Sequence, residues 1–309
     1  MKASPKKGFT LVELAISLTV ISILLLVIAQ FISGIVESYT KGLTVKAINS
    51  TARDLIEDLT TTITSAPARN NIDMCSLNYI YSSDANSPYD QCQKDDAYLF
   101  IYNERYATNV TVDGSTIINK PVPISGAFCT GKYSYIWNTG YILNKKTYSV
   151  PADYPVATIK YRDTSNRIIN YPENESKSFR LIRFLDLSRV ACSSRIKDGS
   201  YNKISDSVGT YDLTSDASGN DYYLTSEIEE LLSADENDLA LYDLQIFHPA
   251  TNNSTFRSYY TGAFILGTLR GSVNIRANGD YCKAPADYES DFDYCAINKF
   301  NFAARAIGG

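Results

Sequence analysis

An apolar run near the N-terminus constrains this chain more than any other feature. Between Phe9 and Ile28 the one ionisable side chain is Glu13, and nearly all other residues are Leu, Ile, Val, Ala, Ser or Thr. About 20 such residues, in a helix that rises ~1.5 Å per residue, span the hydrocarbon core of a bilayer. Lys2, Lys6 and Lys7 precede the run without a balancing acid. The sequence therefore predicts a single-pass membrane helix with its N-terminus in the cytoplasm and the rest outside.

Glu13 is unusual within this run. A carboxylate in hydrocarbon costs roughly 2.5 to 3.5 kcal/mol or more unless it is paired or protonated. Two interpretations follow from its position alone. The side chain either reaches the membrane interface, or it has a charged partner that justifies its place in an apolar segment.

The residues around Glu13 favour a partner. A basic leader, Gly8, Phe9, the sequence TLVE at positions 10–13 and a long apolar helix resemble the class III signal and N-terminal helix of type IV prepilins and their pseudopilin relatives. The resemblance covers the first 30 or so residues closely and the first 66 loosely. An ordinary secretory signal fits less well, because the apolar region exceeds the usual 7 to 15 residues and no Ala-x-Ala-like site follows it.

The resemblance implies a processing and assembly pathway. A membrane aspartyl peptidase would cleave after Gly8, and the new terminal residue Phe9 would be N-methylated. Glu13 matches the acidic residue of the family, and its carboxylate would meet the Phe9 amine of a neighbouring subunit, which offsets the penalty of burying either charge alone. The implied partners are the prepilin peptidase, other pilin subunits, the inner-membrane assembly machinery, and membrane lipid before assembly.

Helix signals continue beyond the membrane segment. Arg53, Asp54, Glu57 and Asp58 occupy the face opposite to the apolar residues, which recur at three- and four-residue steps. These apolar residues are Ile48, Ala52, Leu55, Ile56, Leu59 and Ile63. One helix is therefore predicted from Phe9 to about Ala66, where Pro67 ends it. Gly34 and Gly42 lower the helix propensity by ~1 kcal/mol each and mark a place for bending.

The rest of the chain is predicted to be mainly β. The fold class is α+β, with four segments: a leader at 1–8, a transmembrane and assembly helix at 9–36, an amphipathic continuation at 37–66, and a β-rich extracytoplasmic head at 67–309. A short helix with a capping box is predicted from Ser226 onward. Strands are predicted at 97–106, 156–162, 179–190, 239–247, 256–269, 272–277 and 297–305, from β-branched and aromatic residues with period-two alternation.

Six cysteines follow the membrane segment. An even number outside the cytoplasm predicts disulfide bonds, and fifteen pairings are open. Sequential pairing is favoured because short loops close at the smallest entropic cost. The predicted pairs are Cys75 with Cys92, Cys129 with Cys192, and Cys282 with Cys295. A metal site is not favoured, because the chain has no Cys-x-x-Cys motif and its one histidine, His248, precedes a proline.

Charge and motif content argue against nucleic-acid binding and catalysis. Removal of the leader leaves 26 basic and 34 acidic residues, a net charge of −8, whereas a nucleic-acid surface needs clustered Lys and Arg. The segment 180–195 holds four arginines, which strand alternation would scatter. The chain lacks a nucleophile elbow, a phosphate loop and a zincin motif. The chain is therefore not predicted to be an enzyme.

Two acidic loops offer hard oxygen ligands to calcium. The first contains Asp216, Asn220 and Asp221, and the second Asp287, Glu289, Asp291 and Asp293. Neither matches the spacing of an EF-hand, so no cofactor is expected, and calcium is kept as an open alternative. The 24 tyrosines fit either a binding surface or one covered face of a β-sheet.

These features predict a structural subunit of a filament. The head is large for a major pilin, which favours a minor pilin that initiates or caps a type IV pilus. Three alternatives stay open: a type II secretion pseudopilin, a tip adhesin or DNA-capture pilin that binds a surface ligand through the head, and a single-pass anchored protein that never polymerises.

Overall fold

A computed structural model describes seventeen stretches of the chain and divides it into two compact units. The units are Met1–Lys46 and Ala47–Gly309, and each is considered separately. The described residues are 10–66, 75–76, 101–107, 110–112, 115–116, 122–130, 132–152 with 154–173, 178–188 with 190–193, 209–216 with 219–232, 238–247, 257–269, 272–274 with 281–283, and 295–307.

The helix α1 spans Leu11–Ser65, which confirms the single long helix that the sequence predicts. It continues through Gly34 and Gly42 without interruption. Its first part has the length and composition of a membrane-spanning segment. Serine hydroxyls within this part donate hydrogen bonds of 2.7–3.0 Å to the carbonyl four residues earlier, as at Ser17, Ser22 and Ser33. These hydroxyls therefore need no hydrogen bond to water. This is the condition for placing them in an apolar solvent, where no water is available.

The described residues of the second unit form the C-terminal part of α1, three short helices and sixteen strands. In chain order these are β1 (Cys75–Ser76), β2 (Ile101–Ala107), β3 (Thr111–Val112), β4 (Ser115–Thr116), β5 (Val122–Cys129), β6 (Tyr133–Asn138), α2 (Gly140–Leu143), α3 (Lys145–Tyr148), β7 (Thr158–Arg162), β8 (Ile168–Tyr171), β9 (Leu181–Leu185), α4 (Val190–Ser193), β10 (Thr210–Leu213), β11 (Glu229–Leu232), β12 (Leu239–Phe247), β13 (Arg257–Thr268), β14 (Ser272–Asn274), β15 (Tyr281–Lys283) and β16 (Ile297–Ile307).

Three larger sheets and two strand pairs contain these strands. The main sheet has the order β1-β2-β5-β6-β9-β11, and all its pairs are antiparallel except β1 with β2. The C-terminal sheet is antiparallel, with the order β12-β13-β16. The small sheet has the order β10-β7-β8, and β10 pairs with β7 in parallel. β14 pairs with β15, and β3 with β4. The α+β class with mainly antiparallel sheet is confirmed.

Side-chain alternation sorts the main sheet into two buried faces. On β6, Tyr135 and Trp137 pack with the apolar face of α1, whereas Ile136 lies on the opposite face with the core of the small sheet. On β9, Leu181 faces α1 and Ile182 faces the small sheet. The main sheet therefore forms the middle layer between helix and small sheet, and both of its faces are apolar.

A β-bulge changes the alternation of β12. The pairing with β13 shifts register between Leu241 and Asp243. Leu241 before the bulge and Leu244 after it both lie in the core that contains α1, although they are three residues apart. Tyr242 lies on the other face. The bulge thus lets one strand direct odd-numbered apolar residues before it and even-numbered ones after it to the same core.

One predicted element is wrong. The capping box at Ser226 predicts a short helix, but residues 229–232 form β11 and pair antiparallel with β9. Leu232 enters the core of α1, and Glu229 lies opposite Arg183 in the strand register. Pairing with a sheet edge, which also buries an apolar side chain and joins opposite charges, outweighs the local capping preference.

The predicted strands match seven of the sixteen described ones, and the centre of the main sheet is absent from the prediction. β5 and β6 were not predicted, because Pro123, Ser125 and Gly126 break the apolar alternation of β5. Both strands are buried along nearly their whole length. The prediction of a strand over 179–190 is correct only for β9, since α4 begins at Val190.

Two glycines in strands face aromatic rings on the neighbouring strand. Gly126 pairs with Trp137, and Gly262 pairs with Phe302. A Cβ atom at Gly126 would lie 2.2 Å from Trp137 Cζ2, and one at Gly262 would lie 2.2 Å from Phe302 Cζ. Each ring therefore occupies the space above a glycine that any other residue would fill.

Replacement of Gly126 by Ala should destabilise the second unit by about 1–3 kcal/mol, because the added methyl overpacks a fixed ring. Trp137 is the one tryptophan of the chain, so its fluorescence during denaturant unfolding of the detergent-solubilised protein reports on this site. Gly42→Ala is the control, since a Cβ there meets nothing within 4 Å. Equal unfolding midpoints for Gly126→Ala and the native protein would contradict the packing.

Candidate functional site

The N-terminus of α1 is closed by a reciprocal pair of hydrogen bonds between Thr10 and Glu13. Thr10 Oγ1 accepts a hydrogen bond of 3.2 Å from the Glu13 backbone N–H. Glu13 Oε2 accepts hydrogen bonds of 2.9 Å from the Thr10 N–H and of 2.9 Å from its hydroxyl. Thr10 is thus the N-cap and Glu13 the third helical residue of a capping box. The carboxylate is held at the helix end where the dipole favours negative charge.

The predicted processing residues Gly8 and Phe9 directly precede Thr10 in the sequence and lie outside the described residues. Glu13 is exposed in the isolated chain, and large apolar side chains after it are exposed as well. Their exposed fractions range from 71% at Phe31 to 43% at Ile28. An apolar surface of this extent indicates contact with lipid or with other protein. The candidate site therefore consists of a carboxylate held by the capping box and, directly after it, an apolar helix surface that no other described residue of the first unit buries.

The second part of α1 meets the head through an apolar face. These residues are buried in one core with the main and C-terminal sheets: Ile48, Ala52, Leu55, Leu59, Ile63 and Ala66. All but Ala66 belong to the apolar positions that the sequence predicts for this face, and Ile56, the remaining predicted one, packs against the same core. The prediction of an amphipathic continuation is confirmed for the described residues.

A polar cluster fixes this helix on the main sheet. Arg183 on β9 forms ion pairs with Asp58 of α1 and with Glu229 of β11. The Tyr135 hydroxyl lies 2.9 Å from Asp58 Oδ2 and 2.7 Å from Thr62 Oγ1. Burial raises the pKa of Tyr135, and its hydrogen bond with Thr62 opposes the shift. The Asp58 carboxylate thus receives a charged and a neutral donor at the edge of the core.

The two described arginines of the segment 180–195 make separate contacts, as predicted for the segment. Arg180 is buried, and its guanidinium donates a hydrogen bond of 2.6 Å to the Leu239 carbonyl and one of 3.2 Å to Asp238. Burial lowers the pKa of Arg180, and Asp238 opposes the shift. Arg183 lies at the helix instead. Arg189 and Arg195 are outside the described residues. The described arginines serve internal contacts, so they do not form a basic surface together.

The cysteines are described incompletely. Cys129 is buried at the end of β5, Cys295 is half-buried before β16, and both are disulfide-bonded. Cys92 and the side chains of Cys75, Cys192 and Cys282 lie outside the described part of the structure. Sequential pairing and the stapling of the head therefore stay predictions.

The two calcium candidates differ in what is described. Asp216 accepts hydrogen bonds from the backbone and side-chain amides of Asn220, at 2.8 Å and 3.2 Å. Asp221 forms an ion pair with Arg162 at 3.3 Å. No group of three potential ligands from His, Cys, Asp and Glu occurs among the described residues. The second cluster, 287–293, and His248 lie outside them, and calcium binding stays untested.

Many of the described tyrosines are in the core rather than on a binding surface. Tyr141, Tyr148 and Tyr242 pack edge to face, with ring centroids 4.9–6.3 Å apart. The Tyr242 hydroxyl donates a hydrogen bond of 2.9 Å to the Thr268 carbonyl. Burial raises the pKa of Tyr242 well above its usual value. Tyr135, Tyr211 and Tyr260 are buried as well. Neither interpretation made from the sequence describes this use of tyrosine as a core residue.

The sequence analysis did not predict two parts of the candidate site, which are the capping residue Thr10 and the polar cluster at Asp58. Thr10 could have been found, because Thr-x-x-Glu before an apolar run is the pattern of a capping box. The cluster of Asp58, Tyr135 and Arg183 could not, because its members are far apart in the chain and meet only through the strand order of the main sheet.

Comparison with known proteins identifies the N-terminal segment. Residues 4–29 match the family model of the prokaryotic N-terminal methylation motif. No curated protein and no solved structure matches the chain. The matched residues contain the predicted cleavage site, the capping box and the apolar run. The motif and the apolar helix together support a type IV pilin-like protein.

Asp58→Asn should lower the unfolding free energy of the head by about 1–3 kcal/mol, because hydrogen bonds to charged groups contribute about that much. Asp54→Asn, one turn earlier on the exposed face, is the matched control and should change stability by less than ~0.5 kcal/mol. Trp137 fluorescence during denaturant unfolding measures both. Equal effects of the two substitutions would contradict an anchoring role for Asp58.

Proposed function

We propose that this type IV pilin-like chain is a structural subunit, a minor pilin, of a type IV pilus or a related filament. The methylation motif at residues 4–29 carries the proposal. The protein is inserted in the cytoplasmic membrane by α1, with its N-terminus inside and its head outside. The prepilin peptidase cleaves between Gly8 and Phe9, and assembly then transfers the subunit from lipid into the fibre. The role is structural rather than catalytic.

The physical basis is an exchange of apolar surroundings. Before assembly the exposed side chains from Leu11 to Phe31 contact lipid, and in the fibre they contact helices of other subunits, so little apolar surface meets water at either stage. Back-bonded hydroxyls such as those of Ser17 and Ser22 remain satisfied in both surroundings. Extraction from the membrane therefore requires no rearrangement of the internal hydrogen bonds of α1.

Glu13 supplies the register of assembly in this proposal. Its carboxylate meets the amine of Phe9 on a neighbouring subunit, and each charge compensates the burial of the other. The capping box holds Glu13 in place before that partner arrives. A charge that is fixed in advance loses less entropy on pairing than one on a mobile side chain.

A minor position in the filament is supported by the size of the head, and initiation or capping of the fibre follows from it. The motif is shared with pseudopilins of type II secretion, which use the same anchor in a different machine. The head lies in an oxidising compartment, in agreement with the disulfide-bonded Cys129 and Cys295. Its disulfides staple the β-rich part.

Mass spectrometry of the N-terminal peptide from the native host tests the processing step. The expected result is a mature protein that begins at Phe9, with the terminal amine methylated. A protein that retains Met1–Gly8 in its native membrane would contradict the proposal and would instead indicate a single-pass anchored protein.

Two substitutions at Glu13 separate helix capping from charge pairing. Glu13→Gln keeps an oxygen that can accept from Thr10 but removes the charge, whereas Glu13→Ala removes both. Both variants should be cleaved normally, and both should enter filaments about tenfold less or worse, since an unpaired buried charge costs about 3–5 kcal/mol.

The measurement is the ratio of filament-associated to membrane-associated protein. Glu57→Gln, which removes a carboxylate from the exposed face of the same helix, is the control and should assemble normally. Normal incorporation of Glu13→Gln would sink the charge-pairing role and leave capping alone.

A further inference from the structure

Cys129 lies where the main sheet faces the small sheet. It is the last residue of β5, its side chain is fully buried, and it belongs to the core that also contains Ile182 and Tyr211. Cys129 is disulfide-bonded. Its partner must therefore approach from the side of the small sheet, because α1 covers the other face of the main sheet.

The helix α4 is the element that reaches this position. It packs against β5, β6 and β2 of the main sheet and against β10 of the small sheet. Val190 and Ala191, its first two residues, lie in the same core as Cys129. Cys192 is the next residue of this helix. The backbone thus brings Cys192 to the end of β5, although 62 residues separate the two cysteines in the chain.

A buried carboxylate fixes α4 at this place. Asp186 accepts hydrogen bonds from the backbone N–H groups of Val190 and Ala191, at 2.9 Å and 3.0 Å. It also accepts hydrogen bonds from the hydroxyls of Ser134, at 2.8 Å, and Tyr222, at 3.0 Å. The Ser134 hydroxyl lies 3.0 Å from Cys129 Sγ. One side chain therefore links the start of α4 to the neighbourhood of the Cys129 sulfur.

Strand register argues against one competing partner. Cys75 on β1 and Cys129 on β5 are both opposite Ile101, which lies on the strand between them. Two strand spacings separate Cα atoms by about 10 Å, whereas a disulfide requires less than ~7 Å. Cys295 packs against a different core, with the cluster of Tyr141, Tyr148 and Tyr242.

We propose that Cys129 and Cys192 form a disulfide bond that fastens α4 to the main sheet and holds the small sheet on its face. The bond forms when both thiols give up their protons and two electrons to an extracytoplasmic thiol–disulfide oxidoreductase, whose own disulfide is reduced to two thiols. The bond stands independently of filament assembly, so failure of either proposal leaves the other intact.

Peptide mapping without reduction tests the bond in the full-length protein, purified from its native envelope with free thiols blocked. Trypsin releases Cys192 as the one cysteine of peptide 190–195. It releases Cys129 as the one cysteine of peptide 106–132, because it does not cleave after Lys120, which precedes a proline. The expected product is these two peptides joined, and it disappears on reduction. A link from 106–132 to 70–94, 277–283 or 284–299, or a blocked free thiol at Cys129, overturns the proposal.

A serine variant gives a second test that tolerates partial misfolding, because the protein is labelled after denaturation. Cys192→Ser should yield one new thiol in peptide 106–132, with the other linked peptides unchanged. Cys75→Ser is the control and should leave the link between 106–132 and 190–195 intact. A new thiol in any peptide other than 106–132 after Cys192→Ser contradicts the pairing.

Discussion

The head depends on the packing of one helical face against two sheets at once. Leu55 and Leu59 of α1 share a single core with Trp137 of the main sheet and Phe264 of the C-terminal sheet. The two sheets are also joined directly, by a bridge between Thr139 and Leu241. Because hydrophobic burial dominates the stability of a domain, removal of the helix would expose both sheets together. The helix is therefore part of the head and not merely its attachment.

Polar groups decide where this helix sits, since apolar contacts alone are not directional. Asp58 is bound by Arg183 and Tyr135 at one point of the interface. A helix that rotated or slid by one residue would lose these partners and leave a guanidinium poorly compensated, which is far more expensive than a small loss of apolar area. The cluster therefore supplies register, whereas the leucines supply most of the free energy.

The sequence predicted the helix, the fold class and all three strands of the C-terminal sheet, because their periodicity follows from the side of the element that is buried. It failed where tertiary context prevails over local preference. β5 is buried on both faces, so the period-two pattern is absent, and β11 becomes a strand because β9 offers an edge to pair with. The N-terminal segment was recognised from short-range residues alone. The Asp58 cluster needed the strand order, which no local pattern encodes.

The glycines that lie beneath Trp137 and Phe302 carry a consequence for how this head can change over time. At each pair the glycine and the ring fill one shared volume, so a larger residue at the glycine produces a collision and a smaller one at the ring leaves a void. A substitution at one of the two positions is therefore not tolerated without a compensating substitution at the other. Descendants of this chain should retain both partners or exchange both in concert, which makes each pair a correlated unit inside a head whose exposed loops are free to diverge.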